Sequence, residues 1–261
     1  MSLRIVLVVG LIISTTSNAQ AQSLLDQRFL VTANLGIQAQ STPRTDIVNF
    51  NYGEELGEIR ADQTLGPYVS FDVGGSMRVW KQIGIGMSLA RSQGTATAMI
   101  EADVPHPMFY EWPRTARTSK AGLTHQEVGY HIYGQLLLPL SSSTLVTVSG
   151  GPSYFNASQE LVATVEPIER NPPWFETVQI VSNDIDKVTT GAWGYNAGID
   201  LTYYRNNFLH NMGLSGRRRI GFGVDMRYSW AKPPIKLQGQ LQERALQVGV
   251  MRVTGGIRIR F

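Results

Sequence analysis

The 261-residue chain contains no cysteine. That absence excludes a thiol nucleophile, a disulfide framework, an iron–sulfur cluster and any cysteine-ligated zinc site. Charge of one sign is scarce as well: 23 Lys and Arg stand against 20 Asp and Glu, and the one basic run, Arg217-Arg218-Arg219, is only three residues long. A nucleic-acid partner is not expected from so small and dispersed a surplus. The four histidines, His106, His125, His131 and His210, show no His-x-His or His-x-x-x-His spacing, so neither a metal site nor a cofactor is expected. No apolar run reaches the roughly twenty residues that a membrane-spanning helix requires.

The longest apolar run, Ile5 to Ile13, follows a single Arg4 and precedes the polar stretch Ser14 to Asn18 and then Ala19-Gln20-Ala21. This is the order of a secretory signal peptide with an A-x-A cleavage site. Residues 1–21 are read as that signal, and residues 22–261 as one exported domain without linker or repeat. A cysteine-free exported chain fits a Gram-negative envelope. With 43% hydrophobic residues the exported part has ample material for a core, so disorder is not expected.

What the exported part does have is alternation with period 2, the signature of strands with one apolar face. Phe29, Val31, Ala33, Leu35 and Ile37 alternate with polar or small residues, and so do Val69 to Val79, Ile83 to Leu89, Val128 to Leu138, and Val146 with Val148. The rhythm returns at Trp193 to Tyr203, Ile220 to Trp230 and Val253 to Phe261, which makes eight strands. Short turns are expected at Lys81-Gln82 and Pro139 to Ser143, with a longer one at Asn206 to Arg218. Long polar connections are expected at about 41–66, 103–122, 167–187 and 231–244. Short and long connections in alternation mark an up-and-down barrel in an outer membrane. The expected fold is therefore all-β, a closed antiparallel transmembrane barrel of eight strands with long extracellular loops. Ten strands stay open if residues 46–62 form a membrane hairpin of their own. Pro152, inside a strand, suggests a bulge or strand exit, and Leu246, Val248 and Val250, out of phase with the last strand, suggest a bulge near Arg252 or a loop extension.

Alternation alone does not say which face is inside. A soluble lipocalin-like carrier would hold its apolar face inward, whereas a membrane barrel turns it outward. Small and hydrogen-bonding residues crowd the polar face, as a narrow lumen needs, and Trp193, Tyr203, Tyr228 and Trp230 stand on the apolar face near strand ends, where interfacial girdles form. Both favour the membrane barrel.

The closing segment Gly255-Gly256-Ile257-Arg258-Ile259-Arg260-Phe261 ends on an aromatic residue with apolar residues alternating before it. With the signal segment and eight alternating strands, the chain resembles the OmpA/OmpX-type outer-membrane barrels and the broad group of uncharacterised outer membrane beta-barrel proteins. That resemblance implies cell outer-membrane localisation, outer-membrane lipid as surroundings, and a monomer. It also implies that Ile257, Ile259 and Phe261 form the signal read by the barrel assembly machinery.

Three sets of residues could carry function. Asp72, Arg78, Glu127, His131, Asp200, Asp225, Arg227, Arg252, Arg258 and Arg260 share the polar face. An eight-stranded lumen is only wide enough for side chains to fill, so these are expected to pair as a plug; a gated charged conduit is the alternative. His131 with Glu127, and His125 with Ser119, are formal candidates for nucleophile activation in a lipid A-modifying barrel enzyme, but neither spacing singles them out, and no catalytic residue is expected. Finally, His106, Tyr110, Trp112 and Arg114 in one stiff proline-rich stretch, with Trp174 and Phe175 after Pro172-Pro173, could form a recognition surface or pack together over the barrel mouth. The expected role is structural, surface interaction or limited solute passage.

Overall fold

Alternation persists along nearly every strand, but the residues it sends inward and outward change character halfway up the molecule. The computed structural model describes residues 25–39, 44–205, 219–235, 244–245 and 248–261. The expected signal segment, the expected turn at Asn206 to Arg218 with His210, and much of the connection after residue 235 lie outside the described residues.

The strands are β1 (Phe29–Gln38), β2 (Arg44–Tyr52), β3 (Glu55–Leu65), β4 (Tyr68–Trp80), β5 (Ile83–Val104), β6 (Arg114–Pro139), β7 (Thr144–Arg170), β8 (Thr177–Arg205), β9 (Arg219–Ala231), β10 (Pro234–Ile235), β11 (Arg244–Ala245) and β12 (Met251–Arg260). Eight of them close an antiparallel ring in the order β1-β4-β5-β6-β7-β8-β9-β12, with β12 pairing back to β1. Closure satisfies every ladder without an open edge, the condition for crossing a bilayer with strands. The seam runs in one register from Leu30↔Arg260 to Gln38↔Arg252. It is tight: a Cβ on Gly256 would lie 2.0 Å from the Ala33 carbonyl oxygen.

The ring has eight strands, not ten. Residues 46–62 do form a hairpin, β2–β3, but β1 and β4 are bonded to each other from Phe29↔Met77 to Gln38↔Tyr68, leaving no gap for it in the wall. β3 instead pairs with the upper part of β5, from Leu65↔Ala96 to Glu58↔Asp103.

Two expected loops are also corrected. Most of 103–122 and 167–187 is strand, because β5 to β8 are 22 to 29 residues long and only residues 105–113 and 171–176 join their upper ends. The outward apolar residues that betray a membrane strand stop short of these segments, so they read as loop. Pro152 makes no bulge: His131↔Ser153 and Gly134↔Gly150 share one register, and the proline, lacking a donor, only interrupts the ladder. Bulges in β7 fall at Val162/Thr164 and Glu166/Pro167. Nor is there a bulge near Arg252. β12 starts at Met251 in unbroken register with β9, while Val248 bridges Ala231 above it, which is the loop extension.

β5 shows the change of character most plainly. In its lower part Ile83, Ile85, Met87 and Leu89 point out and are exposed, while Gly84, Ser88, Ala90 and Ser92 point in. Above Arg91 the outward row becomes Gln93, Thr95, Thr97, Glu101 and Asp103, with Met99 the exception, and the inward row becomes Ala96, Ala98, Ile100, Ala102 and Val104, all buried. The lower half is thus apolar outside and polar inside. The upper half is the reverse, with one core joining Val48, Ile59 and Leu65 of the hairpin to Ile100, Leu123, Leu161 and Val165 of the long strands. Each such aliphatic side chain contributes about 1.5–3 kcal/mol on burial, which is why strands this long stand in water.

Aromatic side chains bracket the apolar band. At its upper margin Tyr154 packs edge-on against Trp193 and Tyr195 lies tilted against Trp230, both at 5.4 Å; at its lower margin Phe29 stacks on Phe261 at 5.8 Å. From Trp193 to Tyr203 along β8, ten steps of about 3.4 Å on a strand tilted by about 40° span roughly 26 Å, the height of a barrel's lipid-facing band. The chain is an all-β, transmembrane, eight-stranded barrel carrying a β-built extension. A carrier's polarity, apolar inside at every level, does not describe the lower half.

Candidate functional sites in the lumen and at the outer tip

The polar face of the lower half forms hydrogen-bonded layers. In the lowest, Arg258 of β12 bonds Asp200 of β8 through Nε at 3.0 Å and also through Nη2, and donates from Nη1 to Asn34 Oδ1 on β1. Thr202 donates to the same Asp200. Asn34 Nδ2 then donates to Asp72 Oδ1 at 3.0 Å, and Arg252 Nη2 to Asp72 Oδ2 at 3.2 Å. One chain of side chains thereby runs Asp200–Arg258–Asn34–Asp72–Arg252. Beside it Arg227 donates to Ser88 Oγ at 2.9 Å and lies over the Tyr133 ring, with Asp225 at a loose 3.7 Å.

Register explains why the charges must interleave. Asp200 stands directly opposite Asp225, and Arg227 directly opposite Arg252. Two like-charge pairs in adjacent layers would repel if left alone, and each layer supplies the other's counterions.

Above this lies a layer built on Glu127. His125 Nε2 donates to Glu127 Oε1 at 2.8 Å, the Tyr68 hydroxyl to the same oxygen at 3.2 Å, and Gln38 Nε2 to Oε2 at 2.8 Å. Gln38 in turn accepts from Ser92, which also bonds Ser70. Between these layers lie a cavity of about 40 Å³ bordered by Asp72, Tyr133, Asp200, Arg227 and Arg258, and one of about 10 Å³ beside Glu127 and His131. Neither holds more than a few waters.

Of the sequence-predicted lumen residues, Asp72, Glu127, His131, Asp200, Asp225, Arg227, Arg252 and Arg258 lie in these layers. Arg78 does not join them. It sits at the lower mouth and bonds the Lys81 carbonyl in the short turn, because β4 ends there. Arg260 lies low in the lumen over the Tyr204 ring. Among the described residues neither formal nucleophile pair is hydrogen-bonded, although Glu127 and His131 border the same small cavity. His131 Nδ1 is 2.8 Å from Ser153 Oγ, which also accepts from Asn196, and His125 is taken by Glu127, while Ser119 faces outward past the irregularity where β5 and β6 shift register. Sequence reasoning passed over Asn34, Gln38, Tyr68, Ser92, Ser153 and Asn196. All are uncharged, but Asn34 and Gln38 occupy the polar alternation of β1, which was the available signal.

At the far end of the extension, Arg114 is the hub. Its guanidinium forms a two-pronged ion pair with Glu169, including Nη2 to Oε1 at 2.7 Å, and donates to the carbonyls of Pro105 at 2.7 Å and Phe175 at 2.6 Å. Tyr52, at the tip of the β2–β3 hairpin, donates to Glu169 at 2.7 Å. Three separate connections are therefore clamped at one point. The Arg114 hydrogen bonds hold the Glu169 carboxyl below its ordinary range, and burial, followed by the neighbouring Glu169, raises the Tyr52 phenol, so the tyrosine remains a donor.

His106 serves the same clamp. Its Nδ1 accepts from the backbone N–H of Met108 and Phe109, which leaves the proton on Nε2 to donate to the Trp174 carbonyl at 3.0 Å. The six tip candidates thus divide. His106 and Arg114 are buried staples, and Phe175 gives its carbonyl to Arg114. Tyr110, Trp112 and Trp174 are 78%, 64% and 64% exposed, with Met108 and Phe109 beside them. Among the described residues no three His, Asp or Glu side chains gather as a metal site.

No protein-family model matches the chain, and no curated protein sequence matches it. Among solved structures it is similar to the outer membrane protein OprG from Pseudomonas aeruginosa, with 8% identity, a TM-score of 0.45, and 90% of this chain and 96% of that one covered. It is also similar to Ail, the attachment invasion locus protein of Yersinia pestis, solved with the heparin analogue sucrose octasulfate, with 10% identity, a TM-score of 0.35, and 88% and 99% covered.

Proposed function

We propose that this chain is a non-catalytic, monomeric outer-membrane protein whose barrel is a sealed anchor and whose extension presents an aromatic tip for contact at the cell surface. The observation that carries this reading is the reversal of polarity at Arg91 on β5. Below it, the lumen is closed by paired side chains; above it, the interior is closed by an apolar core. Both halves are filled, which disfavours solute passage. A rigid stalk is left that holds Tyr110, Trp112 and Trp174 in water on a clamped frame.

Exposed aromatic rings on such a frame are costly in water and useful as anchors, because they offer large contact area with little entropy to lose. Export and assembly follow the resemblance: a signal segment at residues 1–21, and recognition of Ile257, Ile259 and Phe261 by the barrel assembly machinery. The test is adhesion of cells displaying the native chain, or the Tyr110→Ala, Trp112→Ala, Trp174→Ala variant, to glycan-coated and protein-coated surfaces. Loss of adhesion in the variant at equal surface display is expected. Equal adhesion by both, or none by either, contradicts a tip-borne contact.

A further inference from the structure

Among the described residues, Arg91 on the outer wall has no side-chain partner. Arg91 points outward from β5, exposed, with Leu89 below it and Phe71 of β4 and Val128 of β6 directly opposite on either side. Its guanidinium forms no hydrogen bond or ion pair with any described residue. Charges on a lipid-facing wall are tolerated only near the interfaces, and Arg91 stands where the outward row turns from apolar to polar, at the level of lipid headgroups.

The wall is also grooved at this point. The edge of β5 is bonded to β4 as far as Val69↔Gln93 and to β3 from Leu65↔Ala96 upward, so Gly94 and Thr95 lie at the hand-over between two partners. A depression of about 480 Å³ opens there, lined by Val69, Phe71, Arg91, Gln93, Gly94 and Thr95. Below the guanidinium the outward wall is apolar at Leu89 and Val73, Phe71 stands level with it, and above it Gln93, opposite Val69, and Thr95 offer an amide and a hydroxyl. That vertical order matches a phosphorylated glycolipid: acyl chains against Leu89 and Val73, a phosphate on Arg91 beside Phe71, and sugar hydroxyls at Gln93 and Thr95. A guanidinium pairs with phosphate through two parallel hydrogen bonds, and in this groove no carboxylate competes for it.

We propose that this groove is a specific seat for a phosphorylated glycolipid of the outer leaflet. The proposal rests on the outer-membrane reading above, and two measurements separate them. Membrane fractionation with heat-modifiable gel mobility, on the native chain and on Arg91→Gln, tests the barrel and its location alone. Native mass spectrometry of the folded chain in detergent then measures retention of bisphosphorylated lipid A, of the same lipid with its phosphates removed, and of phosphatidylglycerol. Retention of the phosphorylated glycolipid is expected to fall at least tenfold on dephosphorylation and equally in Arg91→Gln. Arg117→Gln, which removes an exposed cation already paired with Glu101 higher on the extension, is expected to leave it unchanged. Equal retention by native chain and Arg91→Gln, or of phosphorylated and dephosphorylated lipid, overturns the seat. Equal retention of phosphatidylglycerol overturns the glycolipid assignment. Absence from the outer membrane overturns the reading beneath both.

Discussion

Arg258 on β12 holds Asp200 on β8 and Asn34 on β1 with one guanidinium, and Asn34 passes the connection on to Asp72. A fully buried arginine on β12 thereby ties β8, two strands away, to β1 on its other side. Its cost of desolvation is met only while all these partners stay in place, so the layer behaves as a unit.

Removing one member should therefore cost more than the pair contributes. Arg258→Met is expected to lower stability by about 3–5 kcal/mol, because Asp200 loses its arginine and keeps, among the described residues, the Thr202 hydroxyl alone. Adding Asp200→Asn should recover part of that loss, since no charge is then stranded. Urea unfolding of the refolded barrel, read from Trp fluorescence, measures both; additive losses would contradict a coupled layer.

The seam makes a second demand. Gly256→Ala would place a methyl 2.0 Å from the Ala33 carbonyl oxygen and 2.5 Å from Asn34 Oδ1, whereas Gly255→Ala meets nothing nearer than 3.9 Å. The first is expected to exceed the usual overpacking cost of about 1–3 kcal/mol and to reduce the heat-modifiable folded fraction. The neighbouring change should leave that fraction intact. Equal behaviour of the two variants would contradict the register of β1 against β12.

The tip should respond to acid. Arg114 lowers the Glu169 pKa, so the ion pair's contribution is fully present above the unfolded carboxylate value, about 4.3, and is lost as pH falls through the lower folded value. Proteolysis between residues 105 and 113 is expected to stay slow from pH 7 to about 4.5 and to accelerate below that. In Glu169→Gln it should be faster at neutral pH, with a smaller acid response. An acid response undiminished in that variant would contradict the clamp.

Much of the lower barrel was legible in the residues themselves. Outward Ile83, Ile85, Met87 and Leu89 against inward Gly84 and Ser88 obey a single rule, apolar to lipid and small or polar to lumen, and a period-2 pattern records it directly. The extension obeys the opposite rule with weaker contrast. Ala96, Ala98 and Ala102 alternating with Thr97, Met99 and Glu101 carry a weaker contrast that marked no strand, and the residues beyond them, 103–122, read as loop. The identity of the lumen charges was visible because burial of Arg258 or Asp200 demands partners; which partner each takes was not, because register and the uncharged bridges Asn34 and Gln38 decide it. At the tip, residue type flagged Arg114 and Trp112 alike, and only the meeting of three distant connections separates the staple from the exposed ring.

The central claim is that the barrel is closed by its own side chains, and single-channel conductance of the folded chain in a planar bilayer tests it most directly. The native protein is expected to be silent, and the Arg227→Ala, Arg258→Ala variant, which enlarges the 40 Å³ cavity, to stay silent while the Glu127 layer and the apolar core above it hold. Steady conductance through the native protein would contradict the sealed anchor and make the same arginines the lining of a pore.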